Sequence, residues 1–175
     1  MPDRFSVVAL HWLKGLLLHA RGDDDGATAM FERELALESR GQLYARECCA
    51  NAWYAIGACR LRRGDRADAR AAFEQAVARV PRHPMAHAGL AVSSGSMTCE
   101  ALDNAPPSMD VGIARAALRV AVDDVSGAVA IVAAALESAP LGNAGWLLPV
   151  EPLLDIARAP DAWRSVLMML SGRAS

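Results

Sequence analysis

Four histidines are the first residues of this chain to consider as metal ligands. His83 and His87 are four residues apart, and His11 and His19 are eight apart, so each pair fits one face of a helix. A protein metal site needs three or four converging ligands. No HExxH or CxxC spacing supplies them. We therefore expect no metal site and no cofactor.

Aspartates and cysteines offer two further kinds of chemistry. The aspartates at 23–25 resemble half of a calcium loop, but Arg21 stands where the first carboxylate ligand should be. Cys48 and Cys49 are adjacent without a CxxC spacing, which favours small, buried, reduced thiols. The sequence also lacks a nucleophile elbow and a phosphate-binding glycine loop. We predict no catalytic residues, and an enzyme is the less favoured alternative.

Composition restricts the partners and the location. The hydrophobic content of 53% and the net charge of −2 favour a folded protein and disfavour nucleic-acid binding. The longest apolar run, 128–136, is less than half of a membrane span of about 20 residues, and no signal peptide is evident. We expect a cytoplasmic protein that binds no membrane. Lys14 is the only lysine, which is typical of a GC-rich bacterial genome.

Residues 50–83 have the apolar spacing of two helices joined by a tight turn. Gly64 can take the left-handed conformation that ends a helix, and Asp65 is expected to cap the next helix by accepting its free amide hydrogens. Gly57 is small enough for the two helices to cross closely, with Phe73 beside the crossing. The apolar stripes of the two helices are Trp53, Ile56, Gly57 and Leu61, and Ala69, Phe73, Ala76 and Val80.

This stretch resembles the tetratricopeptide (TPR) unit, a repeat of about 34 residues. Arg60 departs from the family, which usually has an aromatic residue there. A single helix pair cannot bury its apolar stripe, so the resemblance implies neighbouring units. The residues at signature positions are Trp53, Ile56, Gly57, Ala69, Phe73, Ala76 and Pro81.

Further units are predicted on both sides of this stretch. Residues 8–39 repeat its pattern at a constant offset, a partial unit covers 84–94, and a degenerate unit covers 109–142. A plain helical hairpin is the alternative for 109–142. The residues that carry the first match are Gly15, Gly22, Asp23, Ala27 and Phe31, which correspond to Gly57, Gly64, Asp65, Ala69 and Phe73.

The predicted fold is all-α: a short, TPR-like, right-handed α-solenoid of stacked antiparallel helix pairs over 1–142. Residues 143–175 are expected to form an atypical C-terminal helical cap. Prolines divide this tail into a short helix near 151–158 and a last helix near 160–171. Trp146 and Trp163 are expected to close the end of the core.

In TPR proteins the first helix of each unit lines a concave groove that holds a peptide or a partner helix. The resemblance therefore implies a non-catalytic protein–protein interaction module. The alternative is self-association into a homo-oligomer through the groove or through the 109–140 face. By position, the candidate groove residues are Trp12, Leu16, His19, Asn51, Tyr54, Ala58, Arg62 and Met85.

Overall fold

The computed structural model of the protein describes residues 9–40, 44–140, 142 and 144–173. Regular structure in these ranges is helical, without a strand, and neighbouring helices pack in pairs. The all-α prediction is therefore confirmed. The chain divides into two compact units between His83 and Pro84. The repeat region over 1–142, the cap over 143–175 and the handedness of stacking stay predictions.

The first unit consists of two helical hairpins. Helices α1 (Leu10–Ala20) and α2 (Asp24–Leu35) form the first, and α3 (Ala45–Arg62) and α4 (Arg66–Arg79) form the second. Helix α3 contacts both α1 and α2. The apolar stripes of successive pairs are thus buried against each other, as repeat packing requires.

A glycine faces a phenylalanine ring at the crossing point of each hairpin. A Cβ atom on Gly57 would lie 2.5 Å from Cε1 of Phe73, and one on Gly15 would lie 2.3 Å from Cε1 of Phe31. Both phenylalanines have 0% exposure. The expectation of a close crossing with a packed aromatic ring is confirmed in both hairpins.

Each turn between paired helices contains one residue with positive φ. Gly22 and Gly64 have φ of 85° and 88° in the first two hairpins, and Asp123 has φ of 60° at the equivalent place in a third. Glycine adopts this conformation without the steric cost that other residues have. The third hairpin therefore keeps the positive-φ turn although aspartate replaces glycine there.

The predicted cap by Asp65 is wrong, because its side chain accepts no hydrogen bond from α4. Asp23 does cap α2 by accepting from the amide of Gly26, at 2.9 Å. A Cβ on Gly26 would lie 2.3 Å from Oδ2 of Asp23. The corresponding residue in α4 is Asp68, which has a side chain where α2 has glycine.

Glu34 supplies a cap that comes from another helix. Its side chain is fully buried and accepts from the backbone amides of Ala9, at 2.7 Å, and Trp12, at 3.2 Å. Ala9 itself makes no side-chain cap. The buried carboxylate therefore satisfies amides that the start of α1 leaves without a helical partner.

The second unit contains a further hairpin after two single helices. Helix α5 (Pro84–Ser93) is followed by the four-residue helix α6 (Glu100–Asp103), and α7 (Met109–Val120) pairs with α8 (Val125–Ser138). A Cβ on Gly112 of α7 would lie 2.6 Å from the Cβ of Ala135. This hairpin crosses closely through small residues and uses no phenylalanine ring.

The tail differs from its prediction in two respects. The short helix expected near 151–158 is absent, and single 3₁₀ turns form at Leu148–Val150 and Ile156–Arg158. Asp155, with φ of 42°, interrupts the helical path there. The last helix is confirmed as α9 (Pro160–Arg173).

Only one of the two tail tryptophans closes a core. Trp163 is buried, whereas Trp146 is 53% exposed, so the expectation for Trp146 is wrong. Arg173 anchors α9 by donating to the carbonyls of Leu136 and Ala139, both at 2.8 Å. These carbonyls lie at the end of α8, where helical partners are missing.

Candidate functional site

A polar cluster joins the turn of the first hairpin to the last turn of α3. Nδ1 of His19 lies 2.7 Å from Oδ1 of Asp24. The guanidinium of Arg62 donates through Nε to Oδ2 of Asp24, at 2.9 Å, and through Nη2 to the same residue's Oδ1. Nη2 also donates to the backbone oxygen of His19, at 2.9 Å. One arginine thus connects α3 to both α1 and α2.

Cys59 closes the buried side of this cluster. Its Sγ lies 3.3 Å from Nδ1 of His19. Burial raises the pKa of the Cys59 thiol to about 12, and the negative charge of Asp24 adds to the shift. Burial opposes ionisation of Asp24, but hydrogen bonds from Arg62 and His19 outweigh it and hold the pKa of Asp24 below its usual value. The cluster therefore contains a carboxylate and a neutral thiol.

A second polar contact lies further along α3. Oδ1 of Asn51 is 2.9 Å from Nε2 of His83, and an accepting amide oxygen requires the hydrogen on Nε2. The Tyr54 ring packs between His83 and Phe73, with centroid distances of 5.6 Å and 6.0 Å. Tyr54 is consequently part of the core of the second hairpin.

The eight predicted groove residues differ in exposure. Trp12 and Asn51 are half-buried, and Arg62 is exposed with 31% of its side-chain surface accessible. Met85 belongs to the second unit and is described there by itself. Five of the eight residues are buried: Leu16, His19, Tyr54, Ala58 and Met85. Of the eight residues, Trp12, Asn51 and Arg62 have accessible surface, and the groove assignment stays a prediction.

The sequence did not reveal that Asp24 and Cys59 belong with His19 and Arg62. Cys59 and Arg62 are three residues apart in α3, so a shared face could have been inferred. Their distance from His19 along the chain is about forty residues, and only the packing of α1 on α3 brings them together.

The second unit has an apolar cavity beside its last helix, α9. Its volume is about 760 Å³, and its lining includes Trp146, Pro149, Leu167 and Leu170. On the same helix, Met168 is 70% exposed.

No helix in the described ranges has the length and apolar character that a membrane crossing needs.

Helical hairpins with a repeated glycine–aromatic crossing define a protein built from α-helical repeat units. Residues 50–83 match the family model of the tetratricopeptide repeat. That match covers α3 and α4, from the middle of α3 onward. Domains of this repeat generally bind protein partners. No curated protein and no solved structure gives a significant match to the chain.

Proposed function

We propose that the first unit is a non-catalytic interaction module that binds a peptide or a partner helix across α1 and α3. The observation that carries this proposal is the pairing of a TPR-matching hairpin with a second hairpin of the same Gly–Phe geometry. In such pairs the first helices lie side by side, and α1 contacts α3 here.

The proposed contacts are Trp12, Asn51 and Arg62. The indole of Trp12 offers apolar contact, and the amide of Asn51 and the guanidinium of Arg62 are groups that form directional hydrogen bonds. Leu16 and Ala58, each one helical turn from Trp12 and Arg62 respectively, are buried. A partner segment with an apolar side chain and free backbone carbonyls or a carboxylate fits this chemistry.

We place this module in the cytoplasm. All four cysteines are free thiols, at Cys48, Cys49, Cys59 and Cys99. Unpaired thiols are typical of proteins kept in a reducing compartment.

The test is affinity capture from a native lysate with two charge-reversed variants. Arg62→Glu changes the proposed surface, and Arg70→Glu is the matched control on the exposed face of α4. A partner retained by the wild type and by Arg70→Glu but lost by Arg62→Glu supports the proposal. Retention by all three proteins contradicts it, provided that circular dichroism shows the variants folded.

Self-association is the second candidate, and the exposed face of α8 favours it. Ala130 and Ala134 lie one turn apart on this face and are exposed, with Ile131 beside them half-buried. Small residues allow a second helix to approach closely. Light scattering at two concentrations tests this candidate. Ala134→Arg should abolish a concentration-dependent mass, whereas Ala78→Arg on the exposed face of α4 should retain it.

A further inference from the structure

Three side chains that can ligate a metal converge within the first unit. His19, Asp24 and Cys59 each offer one ligand atom, and these atoms lie within 4.8 Å of one another. His19 and Cys59 are buried in α1 and α3, and Asp24 begins α2. Three different helices therefore hold the ligands, which limits how far each can move.

The distances are close to those of a tetrahedral zinc site. With Zn–N of about 2.0 Å and Zn–S of about 2.3 Å, nitrogen and sulfur ligands are separated by roughly 3.6 Å. Nδ1 of His19 and Sγ of Cys59 are 3.3 Å apart. The carboxylate of Asp24, at 2.7 Å from Nδ1, must withdraw by about half an ångström.

The cation that already faces these groups is the guanidinium of Arg62. Its Nη2 lies 2.9 Å from Nδ1 of His19 and donates to Asp24. Arg62 is the last residue of α3, and its side chain is 31% exposed. A metal ion would have to displace its guanidinium from Asp24, from Nδ1 of His19 and from the backbone oxygen of His19. A divalent metal ion would supply two positive charges beside the carboxylate that the singly charged guanidinium now faces, and the Cys59 thiolate would offset one of them.

We propose that His19, Asp24 and Cys59 form a three-ligand site for a zinc-like divalent metal, and that Arg62 competes with the metal for Asp24 and His19. The mixed nitrogen, oxygen and sulfur donor set suits Zn²⁺ or Co²⁺ better than Mg²⁺ or Ca²⁺. Water completes the coordination from the solvent side.

Binding requires a thiolate at Cys59 and a free lone pair on Nδ1 of His19. The S–H bond of Cys59 breaks as the metal–sulfur bond forms, and its proton goes to solvent. The imidazole then carries its hydrogen on Nε2. One proton is therefore released to solvent for each metal ion bound.

The experiment is a Co²⁺ titration of the full chain under reducing conditions at pH 8, followed by the thiolate-to-cobalt absorption band. The wild type should give the band, and added Zn²⁺ should bleach it. Arg62→Gln should tighten binding about fivefold, since it removes a partly exposed ion pair that opposes the metal. Cys59→Ser should lose the band, whereas Cys49→Ser, which changes another buried thiol of α3, should keep it.

Two results would overturn this site. One is the absence of the band in both the wild type and Arg62→Gln. The other is a band that Cys59→Ser retains. Circular dichroism establishes that each variant is folded. If Cys59→Ser does not fold, Asp24→Asn replaces it and should weaken Co²⁺ binding more than about tenfold, with unchanged affinity counting against the site.

Discussion

Replacing Gly57 by alanine tests the crossing of α3 and α4 directly. The new Cβ would lie 2.5, 2.7 and 2.8 Å from three atoms of the Phe73 ring, which is fully buried. Alanine gains about 1 kcal/mol of helix propensity over glycine. Overpacking a rigid core costs about 1–3 kcal/mol or more. Because the ring has no solvent side to move into, we expect the overpacking cost to be about 3 kcal/mol, which leaves a net loss of about 2 kcal/mol.

Urea unfolding followed by circular dichroism measures this loss. Gly172→Ala is the matched control, since nothing lies within 4 Å of a Cβ at that helical position. It should leave stability unchanged or raise it by up to about 1 kcal/mol. Adding Phe73→Leu to Gly57→Ala should show a coupling of about 1 kcal/mol, because the smaller residue makes room. A Gly57→Ala protein as stable as the wild type would refute the close crossing.

Three further changes test other contacts of the fold by urea unfolding. Asp123→Gly should raise the free energy of unfolding by about 0.5–1 kcal/mol, and Gly64→Asp should lower it by a similar amount, because both positions have positive φ. A less stable Asp123→Gly protein or a more stable Gly64→Asp protein would contradict this account of the turns. Glu34→Gln should cost about 1–3 kcal/mol, since the carboxylate accepts two amides of α1, and unchanged stability would count against that cap. Asp24→Asn should cost about 2 kcal/mol at pH 7. The pKa of Asp24 is held below its ordinary value in the folded protein, so this difference should persist down to about pH 4, where an unfolded aspartate begins to protonate, and close at lower pH. A difference that stays constant from pH 7 to 2 would argue against this pKa shift.

The sequence predicts the hairpins well because their key contacts are local. Gly57 and Phe73 are sixteen residues apart, and the same pair recurs as Gly15 and Phe31. A tight turn between two amphipathic helices leaves few ways to bury such a pair. Residue type and spacing are therefore enough to predict the glycine–phenylalanine contact in each hairpin.

Contacts between hairpins and in the tail are harder to predict. The approach of Cys59 to His19 depends on the register of α3 against α1, which no local pattern specifies. Asp65 occupies the N-cap position of α4 without a side-chain hydrogen bond, and a cap prediction based on residue type alone does not detect this. The exposure of Trp146 follows from a tail of single 3₁₀ turns, for which periodicity gives no signal.

Site-specific photo-crosslinking in cells tests the proposed interaction surface most directly. A photoreactive aromatic residue replaces Trp12 of α1, so that the Asn51 and Arg62 side chains are kept, or it replaces Glu74, which is exposed on α4. We predict that position 12 crosslinks to a partner protein and that position 74 does not. Equal crosslinking at the two positions, or crosslinking at position 74 alone, would contradict a binding surface across α1 and α3.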